Sequence, residues 1–116
     1  MSARLNQVAA VLASLDIART VAFCEGRLGF TTLAQHDDYV IFRRDGVGVH
    51  YWLCSDPYIA QNTSCYVYVS DVRALYAEYQ AQGIIHPNGP LRHQPWGLEF
   101  AVLDVDGNLY RFCEPA

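Results

Sequence analysis

A pattern of turn and cap residues recurs in this chain at about half its length. Asp16 and Asp71 lie 55 residues apart, and Gly29 and Gly83 lie 54 apart. Each Asp precedes an apolar stripe at helical spacing, with Ser70 an alternative cap for the second, and each Gly closes it. The first stripe is Ile17, Val21, Cys24 and Leu28; the second is Val72, Leu75, Tyr76 and Tyr79. Asp side chains accept from the free N–H groups of a first helical turn, and Gly takes the left-handed conformation that ends a helix. Short strand candidates flank each helix: residues 5–13, 31–34, 39–43 and 47–53 in the first unit, and 64–69, 84–86, 98–103 and 109–113 in the second. Asp45-Gly46 and Asp106-Gly107 are hairpin signals, and residues 54–62 read as a connection.

The expected fold is therefore α+β, with two βαβββ repeats forming half-barrel sheets. Residues 1–116 make a single domain, with repeat one at about 1–60 and repeat two at about 61–116. Each sheet then has one face covered by a helix. The other face is either buried by something else or left as a concave wall.

Composition narrows the function. At 116 residues with 52% hydrophobic and 13% aromatic content, the chain suits one compact core. A formal charge of −4 and the absence of lysine argue against nucleic acid, because no cationic cluster exists to neutralise phosphates. Such a balance suits a cationic or neutral small ligand. No apolar run reaches a membrane span, and no signal-peptide stretch opens the sequence, so a cytoplasmic location is expected. Cys24, Cys54, Cys65 and Cys113 show no metal or redox spacing and read as packed thiols, with disulfide pairing the alternative.

Strand alternation sorts the site candidates. In residues 64–69, Ser64, Tyr66 and Tyr68 share the side opposite Cys65, Val67 and Val69. Gly48, His50 and Trp52 alternate with Val49 and Tyr51. Trp96 lies in the turn Gln94-Pro95-Trp96-Gly97, where it is either presented to a ligand or packed beneath its own turn. A wall of Tyr66, Tyr68, Trp52 and Trp96 would suit a flat, unsaturated guest. Asp37 and Asp38, beside Tyr39, could form an anionic rim. His36, His86 and His93 read as polar rim residues, and the hairpin turn accounts for Asp106-Gly107 beside Asp104.

Asp16 to Phe30 (D-I-A-R-T-V-A-F-C-E-G-R-L-G-F), Asn62 to Val69 (N-T-S-C-Y-V-Y-V), Leu75 to Tyr79 (L-Y-A-E-Y) and Asp104 to Asn108 (D-V-D-G-N) resemble the vicinal-oxygen-chelate superfamily. Its members include glyoxalase I, extradiol dioxygenases, fosfomycin-inactivating thiol transferases and bleomycin resistance proteins. The run Q-P-W-G-L-E-F-A, from Gln94 to Ala101, is similar to the bleomycin-binding branch. The enzymes hold a divalent metal at positions that the resemblance carries onto Gln7, Ser64 and Arg111: a neutral amide, a weak hydroxyl and a permanent cation. A one-residue slip offers Asn6 or Val8, Thr63 or Cys65, and Tyr110 or Phe112, and none of these completes a His/carboxylate triad. A further ligand position falls at His50 or Trp52.

For the bleomycin-binding branch the resemblance implies a homodimer with two crevices at its interface. A flat ring system stacks between Trp96 and Tyr39, and Glu99, Asp37 and Asp38 face a cationic tail. Asn62 and Gly97 complete the ligand-facing set with Tyr66, Tyr68, Trp52, His50, Ser64 and Arg111. Three departures stand out. No proline lies near Ala10, where relatives have one linked to an exchanged arm; Leu98 replaces a commonly polar residue; and Asp104-Val105 replaces Asp-Pro. The expected function is metal-free, cofactor-free sequestration of bleomycin or another flat cationic antibiotic. The alternatives are a metal-dependent lyase, dioxygenase or thiol transferase, and a binding protein for a natural-product intermediate.

Overall fold

The computed structural model describes residues 2–116. Two four-stranded mixed sheets form. The first has the order β1 (Ala10–Ser14), β4 (Val47–Leu53), β3 (Tyr39–Arg44), β2 (Thr31–Gln35). The second has the order β5 (Ser64–Tyr68), β8 (Leu109–Pro115), β7 (Gly97–Leu103), β6 (Arg92–Gln94). In each, the first strand of the unit runs parallel to the last and the remaining pairs are antiparallel, so the repeat holds at the level of topology.

The helices begin and end where the caps require. Asp16 accepts from the Arg19 backbone N–H at 3.0 Å, opening α1 (Ile17–Phe23). This helix widens into a π-turn over Cys24–Leu28, and Gly29 at φ 76° stops it. Asp71 accepts from Ala74 N at 3.3 Å to open α3 (Val72–Ala81), which ends before Gly83.

Both helices bury their stripes in one shared core. Cys24 and Leu28 pack with Val40, Phe42, Val49 and Tyr51, and Val72 and Tyr79 pack with Phe100, Val102, Tyr110 and Phe112. Each large side chain removed from water contributes about 1.5–3 kcal/mol. The Phe30 and Tyr110 rings meet at 6.2 Å, and the Tyr51 and Tyr110 hydroxyls lie 2.7 Å apart. The helix-bearing sides of the two sheets thus turn toward each other, which leaves the opposite side of each sheet facing outward.

A polar staple crosses between the units at the hairpin Asp104–Asn108. Buried Asp104 accepts from the Tyr51 hydroxyl at 2.5 Å and from the backbone N–H groups of Asp106 and Asn108. Burial pushes its carboxyl above the usual range, against the pull of those bonds. Asp106 accepts from Leu15 N at 2.9 Å and pairs with Arg19. The turn explanation for this aspartate pair is thus incomplete, because both carboxylates anchor unit two to unit one. On the far side, Arg44 of β3 grips both carboxylate oxygens of Glu78 on α3 at 2.6 and 2.9 Å, and also donates to Leu28 O.

Three expectations about elements fail. β1 starts at Ala10 instead of residue 5, so Gln7 is not on a strand. Its partner strand begins at Val47, just beyond the Asp45-Gly46 turn, and offers nothing for residues 2–7 to pair with in register. Residues 84–86 make only the isolated bridge Ile85↔Val102, and the edge strand is β6 (Arg92–Gln94). The connection over residues 54–62 contains α2 (Pro57–Gln61), capped by Asp56 with Pro57 in its first turn. The four cysteines are free thiols, and Cys24, Cys54 and Cys113 are buried. Among the described residues no helix is long and apolar enough to cross a membrane.

Candidate functional site

The outward wall of the second sheet is assembled by strand alternation. β5 presents Ser64, Tyr66 and Tyr68, with Cys65 and Val67 turned to the core. Cross-strand register sets Tyr66 beside Arg111, Arg111 beside Ala101, and Glu99 between Cys113 and Arg92. Tyr66 and Tyr68 stand with ring centroids 5.4 Å apart.

Trp96 sits at the lip of this wall and is 55% exposed, so its indole is not sealed beneath its own turn. Its Nε1–H donates to Glu99 Oε2 at 3.0 Å, and the Tyr66 hydroxyl donates to the same oxygen. One carboxylate therefore aims both rings. Partial desolvation, then the bond to Glu99, raises the Tyr66 phenol above its ordinary value. Gly97 explains the tightness of the turn. A Cβ there would overlap Glu114 O and lie 2.8 Å from Cys113 Sγ, so only Gly lets the backbone press this closely on β8. Gly97 itself is buried against β8.

Below Trp96 is a recess of about 360 Å³ lined by Glu99, Ala101, Leu109 and Arg111. His86, read above as a polar rim residue, lines it too, as do Arg92 and Gln94, which the sequence reading did not single out. Their signal was faint: β6 is a three-residue polar edge strand with no apolar alternation to mark it.

The first sheet's outward wall carries the other half of the expected set. Tyr39 Oη lies 2.8 Å from His50 Nδ1, with the rings edge to face at 5.5 Å. Trp52 pairs with Tyr39 across β3 and β4 and is 38% exposed. Trp52 is thus on a different wall from Tyr66, Tyr68 and Trp96, contrary to the single aromatic wall expected. Asp37 and Asp38 are exposed in the β2–β3 turn. Asn62 does not join either wall; its amide donates to Tyr58 O at 2.8 Å and closes α2.

The positions at which the family's enzymes bind a metal do not fit a divalent ion. Gln7 lies in the exposed stretch before β1, Ser64 is a lone hydroxyl opposite Leu109, and Arg111 places a fixed positive charge beside Tyr66. Among the described residues no three His, Cys, Asp or Glu side chains cluster as a metal set.

Two βαβββ units that share one core, each sheet with aromatic side chains on its exposed face, define a paired-sheet α+β module. The Glyoxalase/Bleomycin resistance protein/Dioxygenase superfamily profile matches residues 4–112, and the chain belongs to that superfamily. The bleomycin resistance protein of Geobacillus stearothermophilus is 31% identical over 117 residues, covering 85% of this chain and 89% of that protein. Bleomycin resistance proteins of Staphylococcus aureus match to the same extent. The bleomycin-binding protein from bleomycin-producing Streptomyces verticillus, solved with copper(II)-bleomycin, superposes with a TM-score of 0.88 at 28% identity, covering 99% of this chain and 100% of that one. The bleomycin resistance determinant encoded on transposon Tn5 gives 0.82 at 27% identity, over 96% and 98%.

Proposed function

We propose that this chain binds bleomycin-type glycopeptides or a similarly flat drug and neutralises them by stoichiometric sequestration, without turnover and without a metal or cofactor of its own. The observation that carries this is the half-exposed Trp96 indole, held over a recess by the carboxylate that also holds Tyr66. An aromatic guest lying on a preset ring gains about 0.5–1.5 kcal/mol per contact beyond burial, and no ordering of the indole is needed on binding. Relatives named for bleomycin resistance or bleomycin binding support the choice of ligand. The donor set at Gln7, Ser64 and Arg111 opposes the metal-dependent alternatives.

The working unit in this reading is a homodimer in the cytoplasm. Trp96 with Tyr66 and Tyr39 with Trp52 occupy walls on different sheets, so a sandwich closes only when a second copy brings its first sheet against the first copy's second sheet. The stretch before β1 fits the same assembly. Leu5 is 98% exposed and Val8 93% exposed, apolar side chains with no intrachain cover. Asp37 and Asp38 would then rim the crevice from the partner and meet a drug's cationic tail.

A protection assay separates sequestration from destruction. Plasmid cleavage by iron-bleomycin is expected to stop until drug exceeds binding sites and then rise at once, with the drug recovered at unchanged mass after denaturation. Protection that grows with incubation time against excess drug, or a drug of altered mass, would point to an enzyme.

A further inference from the structure

The geometry points to an oxyanion-accepting floor in the recess beside Trp96: this wall takes a planar ring that bears a carboxylate or comparable anion, with the guanidinium groups of Arg92 and Arg111 as partners. The inference rests on the reading of this wall as a ligand site and goes beyond it by naming a further class of guest, a planar ring with an anionic substituent.

Arg19 and Arg44 are each tied to a carboxylate, Asp106 and Glu78 respectively. Arg92 and Arg111 form no ion pair among the described residues, yet both are exposed and both line the same recess as the indole. The one carboxylate on this wall, Glu99, faces Arg92 in register but has Oε2 committed to Trp96 and Tyr66. The remaining polar side chains, His86, Asn88 and Gln94, carry no charge in their neutral forms and each can donate. His86 Nδ1 accepts from Asn88 N at 2.9 Å, which in the neutral ring puts the proton on Nε2. Gln94 adds an amide.

Shape agrees with charge. Ala101 stands beside Arg111, and the Gly89 backbone approaches so closely that a Cβ there would be 2.6 Å from the Ala101 Cβ. On β7, between the two arginines, Ala101 and Glu99 are therefore the outward side chains, and Ala101 leaves room only on the side away from Gly89. A recess of about 360 Å³ is at the small end of ligand sites, fitting a two-ring planar group with one substituent. Guanidinium groups recognise such oxyanions through paired N–H donors, and their charge is fixed across the working pH range. In a chain of net charge −4, two unpaired arginines beside a presented indole form a local reversal of sign.

The test titrates naphthalene-2-carboxylate and naphthalene-2-carboxamide separately into the intact protein by calorimetry. The two share a ring system and differ in charge. The acid is expected to bind at least about tenfold tighter at low ionic strength, with the margin narrowing as salt is added. In Arg92→Gln/Arg111→Gln, both substitutions being on exposed side chains, the acid should fall to the level of the amide while the amide is unchanged. Equal affinity of acid and amide for the unaltered protein overturns the inference, as does an acid preference that survives the double substitution. Bleomycin is titrated into the same preparation. If it binds while the acid shows no advantage, only this inference fails. If bleomycin and both naphthalenes leave no heat, the drug-binding reading fails with it.

Discussion

The side-chain amide of Asn108 pairs with both backbone groups of Ala13, 95 residues earlier: Ala13 N–H donates to Oδ1 at 3.1 Å, and Nδ2 donates to Ala13 O at 2.8 Å. Asn108 thus acts as a borrowed strand partner for β1, and it is fully buried. The same Nδ2 donates to Asp104 Oδ2, which links this pair to Tyr51 and the shared core.

Asn108→Ala strands a buried N–H and a buried carbonyl, each costing about 1–3 kcal/mol when unpaired. A loss of about 3 kcal/mol is expected, read as a lower urea midpoint with an unchanged slope. A change below about 0.5 kcal/mol would show that the staple is not needed.

The Arg44–Glu78 clamp makes a pH prediction. Its hydrogen bonds to Arg44 lower the Glu78 carboxyl below its ordinary value of 4.5. An acid whose folded value is depressed contributes stability above its unfolded value and loses it as pH falls through the folded one. Both partners are partly exposed, so solvent screening limits the contribution to about 0.5 kcal/mol. Glu78→Gln should be less stable than the parent by about that much at pH 7, and the gap should close below pH 4.5. A gap that persists in acid would place the effect in packing instead.

Trp96→Ala should weaken bleomycin binding by about 2 kcal/mol, roughly 30-fold, because the proposed site stacks the drug on this ring. Trp96→Phe should recover part of that loss. Glu99→Gln keeps an acceptor for Tyr66 and Trp96 while removing the charge. It should therefore weaken binding less than Trp96→Ala and shift the Trp emission. An affinity that survives Trp96→Ala would take this wall out of the site.

If the proposed homodimer forms through this stretch, removal of residues 2–9 should leave a monomer in sedimentation and reduce drug affinity, since the two half-walls then lose their tie. Leu5→Asp/Val8→Asp should do the same while leaving the fold intact, since neither side chain is packed within the chain. A dimer of undiminished stability in both variants would move the interface elsewhere.

What the sequence revealed depended on whether local chemistry decides the structure. The caps at Asp16 and Asp71 and the stops at Gly29 and Gly83 act within one helical turn, and all four stand as expected. Alternation likewise placed Tyr66 and Tyr68 outward, because a half-buried strand fixes its faces by period. Arg92–Gln94 was illegible as a strand because its pairing with Gly97–Glu99 is set by the partner and not by its own residues. The start of β1 at Ala10 reflects the length of β4, a tertiary limit that the apolar run from Leu5 cannot show. Asn108 carries no mark of its partner 95 residues away. The separation of Trp52 from Trp96 is a consequence of which sides of the two sheets face each other.

Calorimetric titration of bleomycin into the intact protein, with Trp fluorescence followed in parallel, tests sequestration most directly. Saturation at one drug per chain, with quenching that disappears in Trp96→Ala, is the predicted result. No heat and no quenching in the micromolar range would contradict it.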